Sequence, residues 1–175
     1  MAAAELFSRN GYESVGVDDI GAAAGVTGPA IYRHFDGKSG VLTAVFDRII
    51  DAVVPAVPEA DATVAVDRLR VLVDSYAAGV AGRRRLMAVF VREVHHLPAE
   101  HAARLRDRQR ALVGIWRDLL AAVHPDWPDQ RVRTAVHGVF GLLNAVGTFD
   151  SPLTDAELAG QLGDLAAAAL ELSPA

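Results

Sequence analysis

The chain has 175 residues, enough for one large domain or two small ones, and 51% of them are hydrophobic, with a mean hydropathy of +0.22. It contains no cysteine, which excludes disulfides, thiolate zinc sites and cysteine nucleophiles. Its net charge of −5 excludes binding to nucleic acid through overall positive charge, so any contact with DNA must come from a local patch.

The ends and the apolar stretches of the sequence bear on where the protein is found. No apolar run approaches the roughly 18 residues of a membrane-spanning helix. The first residues lack the basic start and the apolar stretch of a signal peptide. We therefore expect a soluble, intracellular protein of the cytoplasm that has no membrane partner and is nearly all helical.

The spacing of apolar residues predicts helices, and no stretch alternates with the period of two that a strand would show. In chain order we place nine helices at 1–10, 17–25, 27–35, 38–54, 62–81, 83–96, 98–123, 128–147 and 155–172. Pro55 and Pro58 separate the fourth helix from the fifth. We expect an all-α, nine-helix protein of two modules, a helix-turn-helix module at 1–46 and a larger module at 47–175.

Residues 17–35 have the local features of a helix-turn-helix. Gly25 permits the positive φ of a sharp turn, Thr27 offers an N-cap oxygen, and Pro29 suits the first turn of the second helix. We expect the inward-facing side chains to be Ile20, Ala23, Ala24, Val26, Ile31 and Phe35. The residues left free to face a groove of DNA are Thr27, Gly28, Pro29, Tyr32 and Arg33.

Residues 5–46 resemble the DNA-binding domain of the TetR family of bacterial transcription regulators. The resemblance is carried by Leu6-Phe7, Gly11-Tyr12, Asp19-Ile20, Ala23, Gly25-Val26, Ile31-Tyr32, His34-Phe35 and Lys38. It implies a surface facing the major groove that consists of Thr27, Gly28, Pro29 and Tyr32. It also implies contacts to DNA phosphates by Tyr32, Arg33, His34 and Lys38. Relatives normally carry a longer first helix preceded by a basic arm, and this sequence starts later than they do. Either the sequence is trimmed, or the protein lacks the DNA contacts of that arm.

Lys38 is the only lysine of the chain and lies at the start of a predicted helix. A cation there opposes the helix dipole, whereas the unpaired N–H groups at the same helix end suit an anion, so a bound phosphate would satisfy both. The alternative is a solvated lysine, and Tyr32 and His34 have similar alternatives as surface or packing residues. Residues 1–50 carry four Lys or Arg against six Asp or Glu, so we expect modest DNA affinity with a clear salt dependence.

The last two predicted helices each carry an apolar stripe at helical spacing. The first stripe consists of Val132, Val136, Val139, Phe140 and Leu143, and the second includes Leu158, Leu162 and Leu165. Such stripes suit near-parallel helix packing, and two helices from each subunit would make a four-helix bundle. We therefore expect a homodimer that uses these stripes. The alternative is that both stripes pack inside one chain.

The helices between 62 and 123 are expected to enclose an effector pocket, as in the family. The candidate ligand-binding residues are Phe90, Glu93, Trp116, His137 and Asn144. They combine large apolar groups with polar groups in apolar stripes, which favours an elongated, mostly apolar small molecule. The alternating arginines from Arg104 to Arg110 either hold the anionic part of an acyl thioester or form a solvated, ion-paired face.

Other site patterns are weak or missing. His95, His96 and His101 lack the spacing of a metal site, and no nucleophile elbow, catalytic triad or dinucleotide fingerprint is present, so we expect no metal, no cofactor and no enzymatic activity. The resemblance implies a ligand-responsive, homodimeric repressor that binds double-stranded DNA at a palindromic operator and is released by a small-molecule effector. The alternative is a helical ligand-binding or scaffold protein that does not bind DNA specifically.

Overall fold

The computed structural model describes residues 2–53 and 64–172, and within these ranges it is helical without any strand, which confirms the predicted all-α class. The helices are α1 (Ala2–Asn10), α2 (Val17–Ala24), α3 (Gly28–Tyr32), α4 (Gly37–Val53), α5 (Ala65–Ala81), α6 (Arg84–Glu93), α7 (Ala99–Val123), α8 (Asp129–Asn144) and α9 (Asp155–Ala169).

Four of the predicted helices end early in the structure, among them the ninth, which ends at Ala169 and not at 172. The second helix of the motif, predicted to reach residue 35, ends at Tyr32, because the chain turns before Gly37, whose φ is +66°. α6 and α8 end at Glu93 and Asn144, and each is followed by a 3-10 turn, at Val94–His96 and Ala145–Gly147. These tighter turns change the direction of the chain while the apolar pattern continues, so periodicity alone does not show the break.

α4 joins the two predicted modules. The boundary that we place between residues 46 and 47 falls inside this helix, which runs unbroken across it, and Pro55 and Pro58 lie outside the described residues. The buried face of α4 includes Leu42, Phe46 and Ile49. Phe46 contacts Phe90 of α6 edge to face, with ring centroids 5.2 Å apart, so one apolar core extends from the first helices into the second module.

The second module is organised around α5, which packs against α7, α8 and α9. Three aromatic residues fill its centre. The ring of Phe140 lies 5.2 Å from that of Tyr76 and 4.7 Å from that of Trp116, measured between centroids. Trp116 is fully buried, and its indole N–H has no hydrogen-bond partner among the described residues. This cluster fixes the spacing between α5, α7 and α8.

The apolar stripes that we expected at a dimer interface lie in the core of the chain instead. The buried members are Val132, Val136, Val139, Phe140, Leu143, Leu158 and Leu162. Only Leu165 of the predicted set is on the surface, with 57% of its area exposed. The reason is that α9 packs mainly against α5, and α8 packs against α7, α9 and α5, so the apolar faces of both helices are covered within the chain. The alternative, packing inside one chain, is correct for these seven residues.

None of the helices within residues 2–53 and 64–172 combines the length and the apolar character that crossing a membrane requires.

Gly147 provides a test of the packing between α6 and the turn after α8. A Cβ at this position would lie 2.7 Å from the carbonyl carbon of Met87. Backbone atoms of a helix cannot move aside as the end of a flexible side chain can. We expect Gly147→Ala to lower the free energy of unfolding by about 1–3 kcal/mol, as overpacking does. The measurement is urea denaturation followed by circular dichroism at fixed protein concentration.

Gly114 in α7 is the matched control, since nothing lies within 4 Å of its Cβ position. Replacing a helical glycine by alanine in open space stabilises a helix by up to about 1 kcal/mol, so Gly114→Ala should raise the urea midpoint. If Gly147→Ala were as stable as Gly114→Ala, the close contact described here would be contradicted.

Candidate functional site

The turn between α2 and α3 depends on two glycines. Gly25 ends α2 with φ +71°, the left-handed conformation that the sequence predicts. The N–H of Val26 then donates to the carbonyl of Gly21 at 2.9 Å. Gly21 is buried, and a Cβ there would lie 3.0 Å from the carbonyl oxygen of Val26 and 3.1 Å from the nitrogen of Gly28. The two helices can cross this closely because residue 21 has no side chain.

The inward face of this motif is narrower than the sequence predicts. Ile20 and Ile31 are buried as expected, but Ala23 and Ala24 are exposed and Val26 is 45% exposed. These three assignments were wrong because α2 crosses α3 through Gly21 and ends soon afterwards, which leaves the last turn of α2 in solvent. The role of Gly21 was not predicted from the sequence, although a glycine inside a short predicted helix can indicate close backbone approach.

α3 and the residues after it present a row of side chains to solvent. Tyr32 is 63% exposed, and Thr27, Pro29, Arg33 and His34 are exposed as well. Thr27 is the N-cap residue of α3 with extended backbone, but its hydroxyl makes no capping hydrogen bond. These five side chains therefore form one accessible surface, which we call the α3 surface.

Gly28 does not belong to the α3 surface, although we expected it to face a groove. It is buried, and a Cβ there would meet the carboxylate of Asp18 in α2. Gly28 therefore belongs to the contact between α2 and α3.

Lys38 has partners that the sequence does not reveal. Its Nζ donates to the backbone carbonyls of Tyr12 and Glu13 at 2.9 and 3.2 Å, and lies 4.3 Å from the centroid of the Tyr12 ring. The alternative of a freely solvated lysine is therefore wrong. Lys38 ties the start of α4 to the segment between α1 and α2, and its third N–H group remains as a donor.

A group of polar residues joins the first helices to the end of α6. The ring of His96 stacks on Tyr12 with centroids 4.7 Å apart. Its Nδ1 lies 3.2 Å from Glu13, and its Nε2 lies 3.6 Å from the buried carboxylate of Glu93. Burial, together with the charge of Glu13, raises the pKa of Tyr12. Glu93, which we expected in an effector pocket, instead lies in this contact between the modules.

The second module contains a cavity of about 60 Å³ between α4, α5, α6, α7 and α8. Its lining residues are mostly apolar, namely Ile49, Ile50, Tyr76, Met87, Phe90, Leu105, Arg108, Gln109, Leu112, Phe140 and Asn144. The hydroxyl of Tyr76 donates to Oδ1 of Asn144 at 3.0 Å, and burial raises the pKa of Tyr76 to about 12, so this pair is uncharged at neutral pH.

The predicted ligand-binding residues are only partly brought together by this cavity. Phe90 and Asn144 line it. Trp116 lies behind Phe140 in the core and does not line it, and His137 is exposed on the outer face of α8. Arg108 and Gln109, which sequence analysis did not select individually, stand at the cavity because one face of α7 is turned toward α4.

Two family models match the chain. The model for bacterial regulatory proteins of the tetR family matches residues 1–45. The model for the tetracyclin repressor-like C-terminal domain matches residues 62–170, which is more than half of the chain. The chain belongs to the tetR family of transcription regulators. The resemblance inferred from the residues of the helix-turn-helix is thereby confirmed, and it extends to the second module.

Curated relatives of this tetR-family chain act in both directions. The HTH-type transcriptional activator FasR of Mycolicibacterium smegmatis is 39% identical over 70 residues, which make up 40% of this chain and 32% of FasR. The HTH-type transcriptional repressor KstR2 of Rhodococcus jostii is 28% identical over 123 residues, 69% of this chain and 60% of KstR2. The matched part therefore spans less than two thirds of either relative, and family membership alone does not set the direction of control.

A solved structure shows that the fold is shared over nearly the whole chain. A bacterial regulatory protein of the tetR family from Rhodococcus RHA1 superimposes with a TM-score of 0.84 at 24% identity. The superposition covers 99% of this chain and 95% of that one. At this identity the likeness concerns the fold and not the ligands.

The structural role of Lys38 can be measured in this tetR-family chain without DNA. Replacing Lys38 by methionine removes two hydrogen bonds from a charged donor to backbone carbonyls, and we expect the free energy of unfolding to fall by about 1–2 kcal/mol. The measurement is chemical denaturation.

Arg33→Met is the matched control, because it removes one exposed cation from the same module. It should leave the denaturation midpoint nearly unchanged. If Lys38→Met were as stable as Arg33→Met, the anchoring role of Lys38 would be refuted.

Proposed function

We propose that this protein binds double-stranded DNA through the α3 surface and represses transcription until a small molecule binds in the second module. The observation that carries the proposal is the exposure of Tyr32, Thr27 and Pro29, together with Arg33 and His34, in and beside the second helix of a helix-turn-helix. In such motifs the second helix enters the major groove and its first residues contact base edges. Its place of action would be the cytoplasm, where bacterial DNA is found.

The charges near the α3 surface indicate that each subunit would contact only a few DNA phosphates. Arg33 and the remaining N–H of Lys38 are cationic donors there, and His34 adds an exposed imidazole ring. The first fifty residues as a whole carry more acidic than basic side chains. Each phosphate neutralised in B-DNA adds about −0.9 to the slope of log affinity against log salt. We expect a clear slope of the size that a few phosphate contacts per subunit produce.

A homodimer would give this small surface enough affinity and would match a palindromic operator. The exposed faces of α8 and α9, not the buried stripes, would form the interface. Gly138 and Gly141 on α8 and Gly160 on α9 have open space at their Cβ positions, and Leu165 is an exposed apolar residue of α9. Residues this small would allow helices of two subunits to approach closely.

The effector would bind in the cavity lined by Phe90 and Asn144, since this cavity also touches α4 through Ile49 and Ile50. α4 continues to the helix-turn-helix, so a shift of α4 would change the spacing of two α3 surfaces in a dimer. A coupling free energy of about 1–3 kcal/mol would change operator affinity 5- to 150-fold.

A wider groove of about 920 Å³ lies between α1 and α6. It is a weaker candidate for the effector, because its Arg84 is already bonded to the carbonyls of Ser151 and Leu153 and paired with Asp155.

The DNA-binding role of Tyr32 is tested by fluorescence anisotropy with a labelled duplex from the region upstream of the protein's own gene. We expect Tyr32→Ala to weaken specific binding by about tenfold or more, the size of a lost base or phosphate contact. Phe149→Ala is the control, because Phe149 is an exposed aromatic residue of the second module. If neither variant differs from the unmodified chain and no duplex is preferred over a random one at low salt, the scaffold alternative is correct.

The dimer interface is tested by sedimentation velocity. We expect Leu165→Arg to shift the protein from dimer to monomer, since two like charges would then meet near the twofold axis. Val91→Arg, a similar change at an exposed position of α6, should leave the dimer intact. A monomeric parent protein at micromolar concentration, or a dimeric Leu165→Arg variant, would refute this interface.

A further inference from the structure

Arg108 occupies a particular position between two cavities. It lines the cavity of about 60 Å³ and also the neighbouring cleft of about 330 Å³, whose lining includes His101 and Arg104. Ile50 and Leu105 are the other residues shared by both spaces. The guanidinium of Arg108 therefore stands where an apolar interior meets a polar entrance.

The present partners of Arg108 belong to α4. One nitrogen lies 2.6 Å from Oδ1 of Asp51, and another lies 3.9 Å from Oδ1 of Asp47. All three side chains are substantially exposed, with 43% of Arg108 and more than 60% of each aspartate accessible. Ion pairs this exposed contribute little stability, so an anion that also buried an apolar chain would compete with them effectively.

We propose that Arg108 is the anion-binding residue of the effector site and that the effector is a short aliphatic chain carrying an anionic group, whose charge replaces Asp51 at the guanidinium. This inference rests on the proposed effector role of the cavity. The chain would enter between Phe90, Leu112 and Phe140, and the anion would remain at the cavity entrance. The small volume of the cavity favours a short chain over a long one.

The exchange of partners at Arg108 would connect ligand binding to α4. Before binding, Arg108 holds α7 to the last turns of α4 through Asp51. After binding, the guanidinium is used by the ligand, and both aspartates are left to solvent. α4 is thereby released from α7 at its far end, while Lys38 continues to hold its first turn against the segment between α1 and α2.

The anionic group could be the carboxylate of a free acid or the phosphates of an acyl thioester, and the test separates these two. The full-length chain is titrated by isothermal calorimetry with hexanoate, hexanoyl coenzyme A and hexan-1-ol, in the absence of DNA. We expect an anionic probe to bind and the alcohol to bind at least about tenfold more weakly, because a charge-assisted hydrogen bond is lost. If the phosphates provide the charge, only the thioester binds, and Arg104→Gln in the outer cleft weakens it.

Variants of the ion pair test the exchange itself. Arg108→Gln should weaken the anionic probe about tenfold or more, and Asp51→Asn should tighten it, because the internal competitor is removed. Arg110→Gln is the matched control, since Arg110 lies on the same helix, pairs with Asp107 and lines neither cavity. It should bind like the unmodified chain.

Three results would overturn the inference: equal binding of hexan-1-ol and the anions, unchanged binding in Arg108→Gln, or no binding of any probe. Tightened binding in Asp51→Asn supports it even if Arg108→Gln fails to fold. Because these titrations contain no DNA, an anion bound through Arg108 together with no operator binding would refute the proposed regulator and leave the assignment of Arg108 in place.

Discussion

The structure depends on α4 as a rigid connection between two packing environments. Its first turn is fixed by Lys38 to the carbonyls of Tyr12 and Glu13, and its middle is buried through Leu42 and Phe46. Its last turns line the cavity and carry Asp51, the partner of Arg108. Any motion of the helix-turn-helix relative to the second module has to move this helix or break contacts along it.

The energies of these contacts indicate where regulation can act. An exposed ion pair contributes about 0–1 kcal/mol, which is at or below the lower end of the 1–3 kcal/mol typical of allosteric coupling. The pair between Arg108 and Asp51 therefore cannot supply the whole effect by itself. The packing of Phe46 against Phe90 lies beside the same cavity and is the apolar contact through which a bound chain would add to it.

The second connection between the modules lies at the end of α6, where His96 stands between Glu13 and the buried Glu93. Arg92 adds a hydrogen bond of 2.7 Å to the carbonyl of Ser8 in α1. These polar contacts hold the first helices against the end of α6, while the side chains of the α3 surface remain exposed. Glu93, which we expected to bind the effector, thus helps to hold the helix-turn-helix against the second module.

The sequence by itself determined the helices, the turn at Gly25 and the exposure of Tyr32, because each follows from local spacing and from the backbone freedom of one residue. Only the tertiary structure decided which apolar face of α8 and α9 turns inward, since that depends on the helices that cover them. The partners of Lys38 and Arg108 were decided in the same way. A backbone carbonyl 25 or 26 residues away, or an aspartate 57 residues away, leaves no periodic signal in the chain, and only the packing of α4 brings them together.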